Sequence, residues 1–479
     1  MDYDVIIAGG GPVGLMLACE LRLQRVAVAV LERRSEIDTT IKAGAINLPT
    51  LEAFYRRGLM PKIDEAQAET LKAFQAMPEG PKPVGHFAGI FMWSDKVDES
   101  QFTTEGPAAG LGLVSQQQVE LILGERALEL GVELRGDIDV TGFVADDDGV
   151  LVQAGDEKLH AGWLVGCDGG RSLVRTRAGF DFPGTGPEIT GHQAIAEIEG
   201  KELLGRGWQT TPTGTFVHGP GPGRFLTVEF DGPPIDRDAP ITREELETSL
   251  RHVSGQDVRI SAVQSATRFT DNARQASTYR IGRVLLAGDA AHVHSPFGGQ
   301  GLNLGIGDAM NLGWKLAAEI QGWAAPGLLD SYTAERHPIG AWVLDWTRAQ
   351  VALMRTDPKS RALRNVVTDL LNTTTGTTYM AKKISGHWQS YGDDPVIGRS
   401  ARDLVLADGS RLGDHLHSGK GLLLGAETSG HADHLTTLAG DYDPLLIRPD
   451  GIVAWAGGDG LDAALETWFG PAVATQYAS

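Results

Sequence analysis

Cysteine is nearly absent from this chain of 479 residues, which contains two. Cys19 and Cys167 lie far apart, and each is embedded in an apolar run. Neither has a second cysteine at the spacing of a disulfide framework or a zinc site, which indicates small buried side chains in a reducing compartment. The region from residue 393 onward contains no cysteine at all, so the sequence excludes a thiol redox module there.

Long apolar runs and basic stretches are also missing. No segment reaches the roughly 18 apolar residues that a membrane-spanning helix needs. The net charge is -20 with no local basic stretch to offset it, which argues against nucleic acid and membrane as partners. A strand pattern starts too close to Met1 to leave room for a signal peptide, so we expect a cytoplasmic protein. The length favours two or three domains.

The first thirty or so residues carry a dinucleotide-binding pattern. Val5–Ala8 has the β-branched, apolar composition of a buried parallel strand, and a G-x-G-x-x-G turn follows it. Helical periodicity then covers Leu15–Leu23, and a second strand pattern runs from Val26 to Leu31. Glu32 ends that strand, where a carboxylate accepts hydrogen bonds from an adenosine ribose.

A second glycine-rich loop lies far downstream. The apolar run Val284–Ala287 ends in Gly288-Asp289, and a helical pattern begins at Gly301. The strand ends at an aspartate, and the glycine-rich loop after it leads into the N-terminus of a helix. This arrangement is typical of a site for a phosphate-bearing ligand. We expect this loop to meet the N-terminal glycine turn.

The patterns between and beyond these motifs divide the chain. Residues 59–98 have no regular pattern and are predicted to be irregular, and residues 184–278 show short alternating runs that predict a mostly antiparallel sheet. A helix from Ser331 to about Met354 is predicted to be interrupted near Pro338. Beyond about Asp393, short strands and a closing helix predict a small α/β unit.

Two other chemistries find no support in the sequence. His292 and His294 flank Val293, but no further ligands lie at metal-binding spacing, so we predict no metal and a structural hydrogen bond for His292. No serine lies in a G-x-S-x-G elbow, which excludes a hydrolase of that type.

Three motifs together, the first glycine turn with Glu32, Cys167-Asp-Gly-Gly-Arg-Ser172, and Gly288-Asp289 with the loop 298–303, match one family in order and spacing. The chain resembles the single-component FAD-dependent aromatic hydroxylases of the para-hydroxybenzoate hydroxylase fold. Within them it is most similar to the aromatic polyketide hydroxylases of the angucycline and anthracycline branch. The likeness runs from Met1 to about Arg336, and the C-terminal unit resembles the thioredoxin-like tail of the phenol hydroxylases.

The resemblance implies an α/β fold of three parts. A Rossmann-like FAD-binding domain would span residues 1–183 and 279–392, with residues near 80–105 assigned either to it or to the next domain. An inserted antiparallel-sheet substrate domain would span 184–278. A C-terminal thioredoxin-like domain without redox cysteines would span 393–479, with scaffold or interface as its default role.

The resemblance also assigns roles to residues. The FAD pyrophosphate would lie on Gly9, Gly11, Val13 and Gly14, the adenosine ribose on Glu32, and the adenine under Arg33. Asp289 would accept from the ribityl chain, and Gly299, Gly301, Leu302 and Asn303 would direct backbone N–H groups at the flavin. The further positions that the resemblance assigns to the cofactor or its surroundings are Lys42, Gln116, Val140, Asp168 and Pro296. Pro296 and Phe297 would border the substrate side, and no catalytic residue is predicted because the chemistry is centred on the flavin.

Two assignments depart from the family or stay open. The family usually has an arginine where this chain has Lys42, which keeps the charge but lacks the planar fork. Arg171 or Arg175 would meet the phosphates of the nicotinamide cofactor, or would be structural arginines.

The implied activity is a monooxygenase reaction. NADPH or NADH would reduce FAD, O₂ would add to the reduced flavin, and the resulting hydroperoxide would hydroxylate a polycyclic aromatic substrate of polyketide type. Baeyer–Villiger insertion or epoxidation on the same substrate class is the alternative, and a non-oxygenating FAD reductase or a binding scaffold is a further one. The expected partner is the small aromatic substrate, and the protein is expected to be a monomer or homodimer.

Overall fold

The structure, a computed structural model, describes residues 1–75, 79–102, 106–219, 221–428, 430–431 and 433–472. Residues 103–105 and 473–479 fall within regions predicted above but lie outside the described residues.

The helices are, in chain order, α1 Pro12–Leu23, α2 Leu48–Tyr55, α3 Met60–Gln75, α4 Gln116–Glu129, α5 Leu173–Ala178, α6 Arg243–Ser254, α7 Gly301–Gln321, α8 Ser331–Met354, α9 Pro358–Leu371, α10 Thr374–Ser385 and α11 Leu461–Phe469. The strands are β1 Tyr3–Ala8, β2 Val28–Leu31, β3 Pro83–Phe87, β4 Ile90–Trp93, β5 Glu133–Arg135, β6 Val140–Ala145, β7 Val150–Ala154, β8 Glu157–Gly166, β9 Gly184–Thr185, β10 Thr190–Glu199, β11 Gly207–Thr210, β12 Gly214–His218, β13 Arg224–Glu229, β14 Arg259–Phe269, β15 Ala273–Gln275, β16 Arg280–Ile281, β17 Val284–Leu286, β18 His292–Val293, β19 Gly421–Leu424, β20 Leu435–Leu438, β21 Leu445–Ile447 and β22 Val453–Ala456.

The largest sheet has the order β16-β17-β8-β1-β2-β5, and β7 with β6 is attached to β8. Strands β17, β8, β1, β2 and β5 pair in parallel. Val5, Ile6 and Ile7 of β1 have no exposed surface, because helices cover the sheet. The carboxyl ends of β1, β8 and β17 lie side by side, which brings all three motifs to one edge of the sheet.

The segment between β8 and β17 contains a second sheet of five strands, in the order β11-β12-β13-β10-β14. All its pairs are antiparallel. Helix α6 covers one face, and Thr242 caps this helix by accepting a hydrogen bond from the Glu245 N–H at 3.1 Å. The predicted α/β fold with an inserted antiparallel sheet is confirmed.

The C-terminal unit is a four-stranded sheet in the order β20-β19-β21-β22. Strand β21 runs antiparallel to both neighbours, and β19 and β20 pair in parallel. This order, with the third strand antiparallel to the rest, is the arrangement of a thioredoxin-like core. Phe469 of α11 is 1% exposed and packs on the sheet with Leu423 and Leu446.

Two expectations about secondary structure are wrong. Residues 59–98 are not irregular, because they contain α3 and the β3–β4 hairpin. Helix α3 is rich in Ala, Glu, Lys and Gln, which favour a helix by intrinsic propensity although few apolar residues mark its buried face. Helix α8 continues through Pro338 without interruption. A proline removes one backbone donor, and the packing of a 24-residue helix outweighs that loss.

Helices α9 and α10, which the sequence did not reveal, extend the cluster around the β3–β4 hairpin. Leu371 of α9, Phe87 and Met92 of the hairpin, and Val228 of β13 share one apolar cluster with Phe297. The hairpin therefore contacts both the inserted sheet and the glycine-rich loop. None of the described helices is long and apolar enough to cross a membrane.

Candidate functional site

The glycines of the N-terminal turn are required for different reasons. A Cβ on Gly9 would lie 2.3 Å from the Cys167 carbonyl oxygen, and a Cβ on Gly14 would lie 2.0 Å from the Gly9 carbonyl oxygen. Both glycines are therefore required for packing. A Cβ on Gly11 would meet no atom within 4 Å. The bare backbone at Gly11 consequently faces open space, as the approach of a pyrophosphate requires.

Glu32 closes this turn at the end of β2. Its carboxylate accepts hydrogen bonds from the Gly10 N–H at 2.7 Å and from the Arg34 N–H at 3.0 Å. Arg33 next to it is exposed. The orientation of the carboxylate is thus fixed by two backbone donors, and it lies beside the glycine turn.

Lys42 lies in the loop that leads from β2 to α2. Its ammonium is 3.0 Å from Asp38. Burial opposes ionisation of Asp38, but hydrogen bonds from Thr40 and the charge of Lys42 outweigh it and lower the pKa of that carboxyl. Lys42 is therefore held as one end of an ion pair. The loop is tied to α4, since the Gln116 N–H donates to the Ala43 carbonyl at 2.9 Å.

Asp168 follows β8 at the same sheet edge. One of its carboxylate oxygens accepts from the Val174 N–H at 3.1 Å, while Oδ1 is buried and has no partner among the described residues. Val140 begins β6 and is 8% exposed. An unpaired buried carboxylate oxygen calls for a donor that the described protein atoms do not supply.

The two arginines after Asp168 differ. Arg175 is buried and donates to the Ala290 and Gly170 carbonyls, each at 2.9 Å. Arg171 is exposed and forms an ion pair with Asp238. The Arg175 guanidinium thus joins the second and third motifs, and only Arg171 projects to the surface.

The loop after β17 is held from below by a buried network. Asp308 of α7 accepts from the Gly288 N–H at 3.0 Å and lies 2.7 Å from His292 Nε2. The Arg336 Nε donates to the same carboxylate at 2.8 Å. Burial opposes ionisation of Asp308, but His292 and Arg336 outweigh it and lower its pKa. The structural hydrogen bond predicted for His292 is confirmed.

Asp289 and His294 point acceptors at the start of α7. His294 Nδ1 is 2.7 Å from the Ser295 carbonyl, which can only accept, so Nδ1 carries the ring proton. Burial lowers the pKa of His294, which keeps the ring neutral and leaves Nε2 as an acceptor. Nε2 is buried without a partner among the described residues. A Cβ on Gly301 would lie 3.5 Å from this nitrogen and 3.8 Å from Asp289 Oδ1. Two converging acceptors suit a ligand with donors, such as a polyol chain.

The first turn of α7 supplies donors. The first intrahelical hydrogen bond runs from the Leu304 N–H to the Gln300 carbonyl. The N–H groups of Gly301, Leu302 and Asn303 come before it and therefore have no acceptor within the helix. The Asn303 side chain accepts from the Asn47 N–H at 2.8 Å and donates to the Gly299 carbonyl at 2.9 Å. Gly299 has φ +61°, which explains the glycine there.

Phe297 packs the loop against an aromatic cluster. Its ring lies 5.7 Å from that of Phe269 and 6.4 Å from that of Trp208, both on the inserted sheet. Gln350 of α8 donates to the Phe297 carbonyl at 3.2 Å. Pro296 is exposed beside it. The glycine-rich loop thus has donors and acceptors on one side and an aromatic wall on the other.

Sequence reasoning missed three contributors to this arrangement, namely Asn47, Gln350 and the acceptor role of His294. Asn47 and Gln350 lie in ordinary helix-flanking or helical sequence, where no motif marks them. His294 lies inside the recognised loop, but only its contact with Ser295 reveals which ring nitrogen is free.

A separate cavity of about 520 Å³ lies between α2, α7 and the segment that follows α10. Arg56 and Arg336 line it, but both are already bound, Arg336 to Asp308 and Arg56 to the Ser400 hydroxyl at 2.7 Å. We therefore take the glycine-rich loop, where unpaired groups converge, as the candidate site.

The residues at the sheet edge fit FAD. Gly11 leaves room for a pyrophosphate, and the carboxylate of Glu32 lies next to that turn. The Asp289 carboxylate and the unpaired His294 Nε2 converge at the start of α7, where the first backbone N–H groups precede the intrahelical bonds.

Comparison with known proteins decides the family. The family described as an FAD binding domain matches residues 2–347, and the one described as the C-terminal part of aromatic-ring hydroxylases matches residues 394–472. The chain belongs to the FAD-dependent aromatic-ring hydroxylase family. The predicted resemblance is thereby confirmed, and this hydroxylase is an FAD-dependent monooxygenase with NAD(P)H and O₂ as co-substrates.

The relatives of this hydroxylase include proteins named as monooxygenases and aromatic hydroxylases. A 12-dehydrotetracycline 5-monooxygenase/anhydrotetracycline 6-monooxygenase of Streptomyces rimosus is 41% identical over 519 residues, covering 98% of this chain and 99% of that protein. The solved structure of CabE, an aromatic hydroxylase from angucycline biosynthesis, is 35% identical with a TM-score of 0.84, covering 99% of this chain and 100% of that one.

One solved relative bears a different activity. The Diels–Alderase PyrE3 of pyrroindomycin biosynthesis is 39% identical with a TM-score of 0.82, covering 98% of this chain and 99% of that one. The scaffold of this hydroxylase therefore also occurs in an enzyme named for a reaction that is not an oxygenation.

Proposed function

We propose that the enzyme hydroxylates a polycyclic aromatic substrate of polyketide type, in a chamber between the glycine-rich loop and the inserted sheet. The observation that carries the proposal is the position of Phe297. It lies within the loop that fits the flavin and packs directly against Phe269 and Trp208 of the sheet. A flat aromatic substrate fits a space walled by aromatic rings, which prefer offset and edge-to-face contacts.

The residues of the loop have separate tasks in this proposal. Asp289 and His294 accept hydrogen bonds from cofactor hydroxyls, and the first N–H groups of α7 stabilise negative charge at the start of the helix. The apolar cluster of Phe87, Phe269 and Phe297 excludes water from the substrate. When bound, FAD would accept hydride from NAD(P)H and activate O₂.

The domain boundaries and the oligomeric state belong to the same proposal. Residues 1–183 and 279–392 bind FAD, 184–278 form the substrate sheet, and 393–479 act as a scaffold or an interface. Contact of the β3–β4 hairpin with Val228 supports a share of residues 80–105 in the substrate domain. The enzyme acts as a monomer or homodimer.

Product analysis tests the activity. The FAD-loaded enzyme is supplied with NADPH or NADH, ¹⁸O₂ and a panel of aromatic polyketide aglycones. One labelled oxygen per NAD(P)H consumed supports monooxygenation, and fragmentation of the product separates hydroxylation from ring insertion or epoxidation.

The second candidate function is a non-oxygenating one, which the Diels–Alderase relative favours. Isomerised product without uptake of label, formed without oxygen or NAD(P)H, would establish it and overturn the hydroxylation. Consumption of NAD(P)H with no product from any aglycone would contradict the proposed substrate class.

A further inference from the structure

The tip of the β3–β4 hairpin has a strained backbone. The strands end at the pair Phe87 and Ile90, so Ala88 and Gly89 form a two-residue turn between them. Both turn residues have positive φ, +52° at Ala88 and +77° at Gly89, as in a type I′ turn. Gly89 adopts this conformation freely, whereas Ala88 is strained in it. Such strain persists only where neighbouring groups hold the backbone, and it is often found at functional sites.

Two side chains hold this turn in place. The Ala88 N–H donates to Gln350 Oε1 of α8 at 3.1 Å, and Arg364 Nη1 of α9 donates to the Ala88 carbonyl at 2.7 Å. Ala88 is 1% exposed, so without these partners both of its backbone groups would be buried and unpaired. Arg364 has no ion pair within the described part of the chain, and burial lowers its pKa. Its guanidinium therefore binds a backbone carbonyl where a counter-charge is usual.

Gln350 also binds the glycine-rich loop. Its Nε2 donates to the Phe297 carbonyl at 3.2 Å, and the side chain is fully buried. The Ala88 N–H can only donate and the Phe297 carbonyl can only accept, so the orientation of the amide is fixed. A Cβ on Gly298 would lie 2.8 Å from Nε2, which shows how closely the amide packs on the loop. One buried side chain thus connects the strained turn with the loop that fits the flavin.

The turn also packs on the aromatic rings beside Phe297. A Cβ on Gly89 would lie 2.8 Å from the Trp208 ring, and the ring centroids of His86 and Trp208 are 5.0 Å apart. The Trp208 ring in turn lies 6.4 Å from that of Phe297. Ala88 belongs to the same apolar cluster as Phe297. A shift of the turn would therefore displace the rings that are proposed to hold the substrate.

Resting on the proposed function, we propose that Gln350 is a positioning residue for oxygen transfer. It fixes the hairpin turn, which borders the substrate, to the loop that binds the flavin, and Arg364 holds the turn from the side of α9. In the productive reaction, substrate, NAD(P)H, H⁺ and O₂ give hydroxylated substrate, NAD(P)⁺ and water. When the substrate is misplaced, NAD(P)H, H⁺ and O₂ give NAD(P)⁺ and H₂O₂ instead. A displacement of about 1 Å is enough to slow a reaction between two held groups strongly.

Hydrogen exchange tests the connection without a substrate. Mass spectrometry follows amide exchange in the peptide that contains Ala88 and Gly89, with and without FAD. Because FAD binds the loop, we expect it to slow exchange at the turn of the wild type by at least about fivefold. Gln350→Met has a side chain of similar size without the two hydrogen bonds, so FAD should no longer affect the turn. Gln350→Asn keeps the amide but is one methylene too short to reach both groups, and it should behave likewise even if the methionine variant does not fold.

Two control variants separate this role from general packing. Gln256→Met makes the same substitution at an exposed position directly after α6, and it should keep the effect of FAD. Arg364→Met releases the turn from α9 but leaves Gln350 in place, so the turn should exchange faster overall while FAD still slows it. A turn that responds to FAD equally in Gln350→Met and in the wild type, or that does not respond in the wild type, would overturn the proposal.

Product analysis tests the consequence for oxygen transfer. With an aglycone of the panel that the wild type oxygenates, product and H₂O₂ are measured against the NAD(P)H consumed. We expect Gln350→Met to oxidise NAD(P)H at a rate within about twofold of the wild type, but to yield at least about fivefold less product per NAD(P)H. H₂O₂ should make up the difference, and Gln256→Met should match the wild type. An unchanged ratio of product to NAD(P)H in Gln350→Met, or slower NAD(P)H oxidation without added H₂O₂, would overturn the proposal.

The two measurements distinguish failure of this inference from failure of the proposed function. If the wild type oxygenates no aglycone, the proposed hydroxylation fails, and the effect of FAD on exchange still decides whether Gln350 connects the loop with the turn. If the wild type oxygenates an aglycone and Gln350→Met gives the same product per NAD(P)H, the hydroxylation stands and the positioning role fails.

Discussion

Arg448 of the C-terminal unit forms a two-point ion pair with Glu335 of α8, with Nη1–Oε1 and Nη2–Oε2 distances of 2.6 and 3.0 Å. Arg448 is 1% exposed and also binds Asp450, while Lys315 of α7 reaches Glu335 at 2.7 Å. The C-terminal sheet is thus joined to the FAD-binding part through buried charge, and Arg57 adds hydrogen bonds to the Leu416 and Pro449 carbonyls.

Replacement of Arg448 by alanine should strongly destabilise the protein. It leaves the Glu335 and Asp450 carboxylates buried with less counter-charge, a change that typically costs about 3–5 kcal/mol. Lys72→Ala is the control, because it breaks an exposed pair with Glu69 that contributes at most about 1 kcal/mol. Urea unfolding measures both. A loss of similar size in the two variants would contradict the structural role of Arg448.

The acid stability of the enzyme should depend on Glu335. Burial opposes its ionisation, but Arg448 and Lys315 outweigh burial and lower its pKa to about 2 from an ordinary value of 4.5. Between these values the unfolded chain binds more protons, so the stabilisation is complete above pH 4.5 and is lost as the pH falls toward 2. The difference in unfolding free energy between wild type and Glu335→Gln should therefore narrow below about pH 4.5. A difference that widens with acid would refute this assignment.

Two alanine substitutions in the first glycine turn should separate ligand binding from folding. Gly11→Ala places its methyl group in open space, so the FAD-free protein should unfold as the wild type does but bind FAD poorly. Gly14→Ala places a methyl group 2.0 Å from the Gly9 carbonyl oxygen and should destabilise the protein itself. Thermal unfolding and FAD titration of each variant measure the two effects. Full FAD affinity in Gly11→Ala would show that the ligand does not approach this backbone.

The acceptors beside α7 should each contribute to FAD retention. Loss of a hydrogen bond to a charged group costs about 1.5–3 kcal/mol, so Asp289→Ala should weaken FAD binding by about 10–100-fold. Asp156→Ala removes an exposed turn carboxylate and serves as the control. Unchanged flavin occupancy in Asp289→Ala would exclude the role given to it.

His294 allows a finer comparison at the same place. His294→Phe keeps the ring but removes the Nε2 acceptor, whereas His294→Gln offers an amide oxygen in its stead. We expect weaker FAD binding and a shifted flavin absorption spectrum in the phenylalanine variant, and partial recovery in the glutamine variant. Equal losses in the two variants would indicate that His294 acts through packing alone.

Much of this site was accessible from local sequence. The turn from Gly9 to Gly14 and the loop from Gly288 to Asn303 depend on glycines whose backbone conformation or close packing excludes other residues. Parallel strands before each motif then place both at one sheet edge. Helix α3 escaped detection because intrinsic propensity, and not an apolar stripe, marks it.

Other features could not be read from local patterns, because they depend on contacts between distant segments. The Arg175 side chain joins the second and third motifs, and the Asn303 side chain holds the backbone of Asn47. The spacing of these residues in the sequence does not predict either hydrogen bond. Whether a polar side chain has a hydrogen-bond or ion-pair partner depends on which residues the fold places next to it. Arg268 and Arg224 both lie on the inserted sheet, yet only Arg268 meets a carboxylate.

The sequence by itself determined the family, the α/β fold and the cofactor, since these follow from short glycine and aspartate motifs at the ends of strands. Only the tertiary structure decided which polar groups remain unpaired: His294 Nε2 at the start of α7, and Arg224 with Ser265 on the sheet. The physical reason is that a hydrogen bond or an ion pair requires two groups within a few ångströms. Folding alone brings residues from distant parts of the chain to such distances.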